Sequence, residues 1–256
     1  MIRGEITLVQ EKKLTGKIPR EAIVMTEIPR LPNEILTGFS NLADLAGTVS
    51  DAMDELGIIG VVPASVLKPT IPNSRLVGPA VTVRNIPQNT QAYKGAKERI
   101  SKMAEIEGHN LSQPGDVLVI EGLDNISNMG GISASIGKRQ GEAGAIVEGA
   151  IRDVDHSRSI GFPIWSRGIS PITGKWRLQT IQVNGPINMA GVQVFPGDLV
   201  VADETGVCFV PREKAAAVLA RAQEIVAGEA KRYQDIEAGV SVPELAQKTH
   251  VYKFGA

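Results

Sequence analysis

The sequence predicts an α/β fold in which helices are layered against a β-sheet. Two segments, residues 114–122 (PGDVLVIEG) and 196–206 (PGDLVVADETG), each begin with a Pro-Gly-Asp turn and continue as an apolar run that ends at an acid. Such runs are typical of central strands that are buried on both faces. Strand-like and helix-like segments alternate along the chain, as expected of a layered α/β domain. The sequence does not specify the strand order.

The elements before the first of these strands are predicted as follows. Residues 1–40 are mixed and polar and carry several prolines, so we expect an extension that lies over the core. From Leu42 to Leu56 the apolar residues recur at near-helical spacing, and Gly57 follows as a stop, which predicts a helix. Residues 75–84 (RLVGPAVTVR) are rich in β-formers and predict a strand, with a bend or bulge at its Gly-Pro pair.

The later elements are predicted from the same kinds of pattern. Residues 97–110 are charged, and we expect a solvated helix there. The segments that follow are a helix at 130–141, a buried strand at 143–151, a short helix at 152–161 and a strand at 162–168. Residues 212–239 are alanine-rich and amphipathic and predict a long helix packed on the sheet or on a neighbouring subunit.

The composition is that of an ordinary soluble globular protein. Of 256 residues, 43% are hydrophobic and 21% are charged, and the formal net charge is −1. This charge gives no electrostatic basis for binding nucleic acid or an anionic membrane, so a small molecule or another protein is the expected partner. A single cysteine, Cys208, excludes an internal disulfide, and no long apolar segment follows Met1. We therefore expect a cytoplasmic protein and, because its segment is apolar, a buried and inert Cys208 thiol.

Histidine and cysteine do not form a metal-binding pattern in this sequence. The three histidines, His109, His156 and His250, are scattered, and none is paired with a second histidine or with the cysteine at ligand spacing. Any metal would therefore be held by carboxylates and water, which favours Mg²⁺ or Mn²⁺.

An arginine and an aspartate, Arg152 and Asp153, follow the predicted strand at 143–151, on the side of an α/β sheet where ligands usually bind. Asp153 also lies where a helix N-cap belongs, and a cap contributes about 1 kcal/mol, so these two residues alone favour a cap. Gly130 and Gly131 precede the helix before this strand, where free N–H groups attract an anion, although a Gly-Gly pair also suits a tight turn. An anion site, an arginine and a carboxylate could thus converge on one pocket.

Several motifs in order along the chain resemble the RraA-like family. They are SDAMDELG, LVGPAVTVR, PGDVLVIEG, GEAGAIVEGAIRDVD, GFPIWSRGISP and GVQVFPGDLVVADETGVCFVP, and they extend from about Thr48 to Arg212. The family includes the class II 4-hydroxy-4-methyl-2-oxoglutarate aldolases, also called 4-carboxy-4-hydroxy-2-oxoadipate aldolases. The resemblance implies an αββα sandwich of the swivelling-domain-like type and a homotrimer or a dimer of trimers. It divides the chain into an extension (1–40), a catalytic domain (41–215) and a helix with a tail (216–256).

The same resemblance implies roles for individual residues. The turn that binds the substrate carboxylate corresponds to Gly130, Gly131, Ile132 and Ser133. Arg152 corresponds to a substrate contact, and Asp153 corresponds to the ligand of a divalent metal. Asn89 resembles a polar pocket residue, although a loop asparagine also suits simple turn chemistry.

The sequence departs from the family motif at one position. In the motif, two intervening residues follow the Arg-Asp pair and then an acid, whereas here Asp155 comes one residue early and His156 occupies the position of that acid. Asp153 is retained, but the side chains beside it differ, and substrate and rate depend on them. On its own, His156 is expected to be a solvated helix residue.

The function implied is that of a metal-dependent pyruvate aldolase that also decarboxylates oxaloacetate. The lysines lie in polar or turn segments, whereas a Schiff-base lysine needs a desolvated or cationic setting, so the metal route is favoured. A water oriented by Asp124 or Asp155 is a candidate base. The alternative is a non-catalytic regulator that binds ribonuclease E or its helicases. A menaquinone methyltransferase activity is disfavoured, because no glycine-rich S-adenosylmethionine loop follows a first strand.

Overall fold

Helices and strands alternate over residues 12–248, which are the residues that the computed structural model describes. The helices are α1 (Asn33–Ser40), α2 (Leu45–Glu55), α3 (Ala92–Glu98), α4 (Ile106–Leu111), α5 (Gly131–Gln140), α6 (Val154–Ser159), α7 (Ala215–Glu237) and α8 (Val242–Lys248). The strands are β1 (Val61–Pro63), β2 (Lys68–Pro69), β3 (Leu76–Pro87), β4 (Val117–Glu121), β5 (Gly144–Ile151), β6 (Ile164–Ile169), β7 (Leu178–Val183), β8 (Ile187–Met189), β9 (Val192–Val194), β10 (Leu199–Ala202) and β11 (Gly206–Val210). This confirms the predicted α/β class.

The main sheet has the order β1-β11-β10-β3-β4-β5-β6-β2, and β7 pairs with β3 beside this path. Strands β3 to β6 are parallel neighbours, and the other pairs are antiparallel. β3 changes partner at the predicted Gly-Pro position, because Gly78 and Pro79 pair with β10 and the next residues pair with β4. A Cβ atom on Gly78 would lie 2.1 Å from the carbonyl oxygen of Gly115, so a glycine is needed where these segments meet.

Alternating side chains place the sheet between two helical layers. In β4, Leu118 packs with helices α4 to α6 while Val119 faces an inner cluster. In β10, Val200 joins that inner cluster while Val201 packs with α1, α2 and α7. The inner cluster therefore lies between two parts of the sheet, and the helices cover the outside of each part. This arrangement is the expected αββα sandwich.

Most predicted elements are confirmed. They are α2, β3, β4, α5, β5, α6, β6, β10 and α7. Glycines end two of the helices as expected, since Gly141 after α5 and Gly161 after α6 both have positive φ. The long helix α7 packs chiefly on α2, in the cluster that covers β10 and β11.

The solvated helix predicted for residues 97–110 is wrong. α3 ends at a left-handed residue, Arg99 (φ 55°), and α4 follows as a separate helix. Glu107 and His109 of α4 are fully buried. Both can be buried because each is hydrogen-bonded to residues that are distant in sequence. Glu107 and His109 are thus held by buried hydrogen bonds, whereas Lys97, Glu98, Arg99 and Lys102 of the same segment are exposed.

The structure describes only part of the predicted extension and of the predicted tail. Ile18, Ile23 and Ile28 of the predicted extension are buried in the cluster shared with α4 to α6. Residues 1–11 of the extension and 249–256 of the tail lie outside the described residues. Across residues 12–248, no helix is both long enough and apolar enough to cross a membrane.

Candidate active site

The carboxyl end of β5 and the amino end of α5 meet at Arg152 and Asp153. The backbone N–H of Gly131 donates to Oδ2 of Asp153 at 3.0 Å. The backbone N–H of Arg152 donates to the carbonyl oxygen of Met129 at 3.1 Å. The glycine turn and the Arg-Asp pair therefore converge, as the sequence predicts.

Asp153 caps a helix, but not the one expected. It precedes α6, yet its side chain makes no capping hydrogen bond to that helix. Its carboxylate accepts the free N–H at the start of α5, where a negative charge also suits the helix dipole. The Asp153 backbone is left-handed (φ 54°, ψ 41°), a conformation that aspartate tolerates better than most residues. This backbone turns the carboxylate towards the neighbouring helix.

The two glycines are required by close packing. A Cβ atom on Gly130 would lie 2.9 Å from Oδ2 of Asp153 and 3.2 Å from Nε of Arg152. A Cβ atom on Gly131 would lie 3.1 Å from Cδ2 of His156. Gly130 itself has an extended backbone (φ −143°), so a left-handed turn is not the reason for glycine at this position. The absence of side chains lets the charged pair lie against the turn.

The charged pair is partly open to solvent. Nε of Arg152 lies 3.4 Å from Oδ2 of Asp153, and the two side chains are 31% and 45% exposed. Oδ2 thus faces both the guanidinium and the N–H of Gly131. Across residues 12–248, no residue is hydrogen-bonded to Oδ1 of Asp153, which leaves this oxygen available to a ligand.

His156 supports the glycine turn from α6. Its side chain is exposed, as predicted for a solvated helix residue, and its Nε2 lies 2.8 Å from Oγ of Ser135. Ser135 Oγ in turn donates to the carbonyl oxygen of Gly131 at 3.0 Å. His156 therefore links α6 to the first turn of α5.

A cavity of about 250 Å³ lies in front of this turn. Six residues that the sequence predicts as site residues line it: Gly130, Gly131, Ile132, Ser133, Arg152 and Asp153. Ile132 is the most exposed of these, at 74%. Asn89 is not among the lining residues and lies exposed in the loop after β3. The predicted site is thus brought together except for Asn89.

Three ionisable residues of the cavity were not predicted: Glu105, His109 and Lys175. Burial raises the pKa of the Glu105 carboxyl above its ordinary value of 4.5, and the nearby His109 and Lys175 act in the opposite direction. Lys175 is exposed at the edge of the cavity. The sequence carries no local signal for these residues, since α4 and the loop before β7 approach the turn only in the folded chain.

His109 connects the cavity to a buried carboxylate. Its Nδ1 lies 2.8 Å from Oε1 of Glu142, and its Nε2 lies 2.7 Å from Oγ of Ser133. Ser133 is the only one of the three that also belongs to the glycine turn predicted to bind substrate.

Asp124 and Asp155, the acids predicted to orient a water, lie outside the cavity. The Asp155 side chain is fully exposed and is 3.7 Å from Arg158, and Asp124 is 3.7 Å from Arg167. Neither acid lines the cavity.

Burial raises the pKa of the Cys208 thiol to about 12, which agrees with the prediction of an inert thiol. His250 lies outside the described residues.

The site suits a hard cation held by few protein ligands. Among residues 12–248, no three His, Cys, Asp or Glu side chains form a group able to hold a metal together. Asp153 and Glu105 are the acids that line the cavity, and Asp153 is the one at the glycine turn, with a side chain that is 45% exposed. Mg²⁺ is commonly bound by one or two carboxylates and keeps several waters, so this donor fits such an ion.

The fold and this site together define an RraA-like protein. The family model described as Aldolase/RraA matches residues 46–209, which is more than half of the chain, and the chain belongs to this family. A Halalkalibacterium halodurans protein provisionally named a 4-hydroxy-4-methyl-2-oxoglutarate aldolase is 32% identical over 194 residues, which cover 75% of this chain and 84% of the relative.

Solved structures similar to this chain include the following two. The first, an uncharacterized protein from Pseudomonas syringae pv. tomato, is 27% identical with a TM-score of 0.73, covering 87% of this chain and 97% of the other. The second is RraAS2 of Streptomyces coelicolor, described as an unusual member of the RNase ES inhibitor RraA protein family. It is 26% identical with a TM-score of 0.63, covering 82% of this chain and 98% of the other. The similar proteins thus include one named as an aldolase and one described as a member of an RNase inhibitor family.

Proposed function

We propose that the protein is a divalent-metal-dependent pyruvate aldolase. Its substrates would be 4-hydroxy-2-oxo acids such as 4-hydroxy-4-methyl-2-oxoglutarate, and decarboxylation of oxaloacetate would be a second activity. The observation that carries this proposal is the placement of Arg152 and Asp153 against the amino end of α5, inside one cavity. Relatives named as aldolases support the same reaction class.

The first turn of α5 would bind the substrate carboxylate. The N–H of Gly131 is used by Asp153, while Ala134 already donates to the carbonyl oxygen of Gly130. The N–H groups of Ile132 and Ser133 lie between these two and have no partner within the helix. They are therefore the amides that can bind a carboxylate at this helix end.

The two cations of the cavity would act on the charges of the substrate. The Arg152 guanidinium lies beside the turn and would offset negative charge that develops on the enolate oxygen during C–C cleavage. Lys175, at the cavity edge, would attract the second carboxylate of a dicarboxylic substrate. Two cations on one cavity favour a dianionic substrate over a neutral aldehyde.

Asp153 would hold the divalent ion, through the oxygen that is not bonded to Gly131. When bound, Mg²⁺ or Mn²⁺ supplies a Lewis acid for the keto group of the 2-oxo acid. The Gly131 N–H and the Arg152 guanidinium fix the orientation of the carboxylate from the other side.

The assay measures pyruvate release from 4-hydroxy-4-methyl-2-oxoglutarate and from oxaloacetate, with Mg²⁺ or with EDTA. Wild type is compared with Asp153→Ala and with the matched control Asp155→Ala, whose carboxylate is fully exposed and outside the cavity. We expect EDTA and Asp153→Ala each to reduce both rates by about 100-fold or more, and the control to stay close to wild type. Turnover without metal, or full activity of Asp153→Ala, would contradict a class II mechanism.

The second candidate function is a regulator of ribonuclease E activity, which the likeness to RraAS2 favours. A regulator would inhibit cleavage of an RNA by ribonuclease E in an assay to which both proteins are added. It would also leave both 2-oxo acids unchanged. Inhibition by Asp153→Ala as strong as by wild type, with no lyase activity in either, would select this alternative.

We also propose a homotrimer or a dimer of trimers, as the family resemblance implies. Light scattering after gel filtration gives the mass in solution directly. A mass equal to one chain would contradict this assembly.

A further inference from the structure

Ser133, His109 and Glu142 form a buried chain of hydrogen bonds that ends at the cavity. The Ser133–His109 contact is 2.7 Å, and the His109–Glu142 contact is 2.8 Å. His109 has no exposed surface, while Ser133 and Glu142 are each 5% exposed. With Glu142 as a carboxylate, which only accepts hydrogen bonds, and His109 as a neutral imidazole, Nδ1 of His109 carries the hydrogen and Nε2 accepts the hydroxyl hydrogen of Ser133; this is the tautomer that the proposal below requires.

We propose that Ser133 is the catalytic acid-base of the site, with His109 as the proton acceptor behind it. Glu142 is the positioning residue that holds His109 in the tautomer this requires. The inference rests on the proposed aldolase function and assigns the proton transfer within it. It also replaces Asp124 and Asp155, which lie outside the cavity.

The proton transfers balance within the chain. The hydroxyl proton on C4 of the substrate passes to Oγ of Ser133 while the Ser133 proton passes to Nε2 of His109. The C3–C4 bond breaks, its electron pair forms the C2–C3 double bond of the enolate, and C4 becomes a carbonyl carbon. The proton then returns from His109 through Ser133 to C3, which gives pyruvate. Glu142 stabilises the imidazolium that exists between the two steps.

Three features of the site support this assignment. Ser133 belongs to the first turn of α5, whose Gly131 contacts Asp153, so its hydroxyl lies on the turn that touches the carboxylate proposed to hold the metal. Ser133, His109 and Arg152 line one cavity. The hydroxyl also has a base of suitable chemistry within hydrogen-bond distance, as a serine needs before it can exchange a proton.

Decarboxylation of oxaloacetate shows whether a variant still stabilises the enolate when no proton has to be removed from the substrate. Its decarboxylation breaks a C–C bond without removing a proton from the substrate, so the bond-breaking step needs Arg152 and the carboxylate site but not Ser133. Aldol cleavage needs a base. Exchange of the pyruvate methyl protons with D₂O also needs one, and no C–C bond breaks in that reaction. Ser133→Ala should therefore slow aldol cleavage and methyl-proton exchange much more than decarboxylation.

The experiment measures aldol cleavage, methyl-proton exchange by NMR and oxaloacetate decarboxylation, with the Mg²⁺-loaded full chain. The matched control is Ser112→Ala, which removes another buried hydroxyl, one that donates to the carbonyl oxygen of Gly108 and lies outside the cavity. For Ser133→Ala we expect cleavage and exchange to fall by about 100-fold or more and decarboxylation to stay within about threefold. The control should keep all three rates.

His109→Gln provides a second variant, with the same expected split between cleavage and decarboxylation. Glu142→Gln should reduce exchange less, by about tenfold, because its amide oxygen can still accept from Nδ1 of His109. Equal loss of all three activities in Ser133→Ala, or unchanged cleavage, would overturn the assignment. A wild type that releases pyruvate from neither substrate would overturn the proposed function itself, which is a different result from a defect confined to the variants.

Discussion

Oδ2 of Asp153 accepts the backbone N–H of Gly131 at 3.0 Å, so the second residue after β5 caps the helix that precedes that strand. The contact joins two helix starts, since Asp153 is also the residue before α6. The other carboxylate oxygen is not used by this contact, the Arg152 guanidinium lies beside the same turn, and both residues line the cavity. The cap of α5 and the proposed metal site therefore share one side chain.

The two roles of Asp153 can be separated by two substitutions. Asp153→Asn keeps an oxygen that can accept the N–H of Gly131, and asparagine tolerates the left-handed backbone. Asp153→Ala loses the acceptor and must adopt φ 54°. We expect the free energy of unfolding to fall by about 1 kcal/mol or more in Asp153→Ala and to change little in Asp153→Asn, while both lose metal-dependent activity. Urea unfolding measures this, and equal stability of the two variants would contradict the capping role.

The sequence was sufficient to predict the parts of the site that are local. β5, α5 and α6 have clear patterns, and the Arg-Asp pair lies between two of them. The network of His109 could not be predicted in this way, because its partners Ser133 and Glu142 lie 24 and 33 residues away. A charged segment predicts a solvated face only when its polar groups lack partners inside the fold. The tertiary structure supplies these partners at α4, and so overrides the local pattern.

Gly130→Ala should damage the site without unfolding the protein. The added methyl group would lie 2.9 Å from Oδ2 of Asp153 and would move the carboxylate and the guanidinium. We expect activity to fall by about 10- to 100-fold, because small displacements of aligned groups are costly in catalysis. The control is Gly47→Ala in α2, where nothing lies within 4 Å of the new methyl group and where alanine should stabilise by about 0.5–1 kcal/mol. Similar activity of Gly130→Ala and wild type would exclude the close-packing role of this glycine.

Arg30→Met tests whether the predicted extension is part of the stable fold. Arg30 forms a salt bridge with Asp116, whose side chain has no exposed surface. Burial raises the pKa of Asp116, while Arg30 and the N–H of Gln113 lower it. Loss of the guanidinium should cost about 1–3 kcal/mol, less than for a fully buried pair because Arg30 is 34% exposed.

The cost of Arg30→Met should also depend on pH. Without Arg30 the pKa of Asp116 rises further, so the folded variant binds a proton that the unfolded chain releases, and its stability falls as pH increases. Unfolding in urea at about pH 5 and about pH 8 should show the smaller difference from wild type at the lower pH. A cost that is the same at both pH values would argue against a buried Asp116 carboxylate.

Glu105→Gln should increase stability at neutral pH. Burial raises the pKa of Glu105 above 4.5, so the folded protein binds this proton more tightly than the unfolded chain does. The stability that comes from this tighter proton binding is fully present below the pKa of Glu105 in the unfolded chain and is lost as pH rises through its pKa in the folded protein. Glutamine does not ionise, and the Tm of the variant should therefore rise relative to wild type between about pH 4 and about pH 7.

Glu55→Gln is the matched control for Glu105→Gln, because its expected pH dependence has the opposite sign. The hydrogen bond from Arg221 holds the pKa of the Glu55 carboxyl below its ordinary value, so this acid contributes stability above the unfolded pKa and loses it as pH falls. The Tm of Glu55→Gln should thus decrease relative to wild type over the same pH interval. If both variants shift in the same direction, the trend reflects loss of negative charge in general, and the burial of Glu105 at the cavity is not its cause.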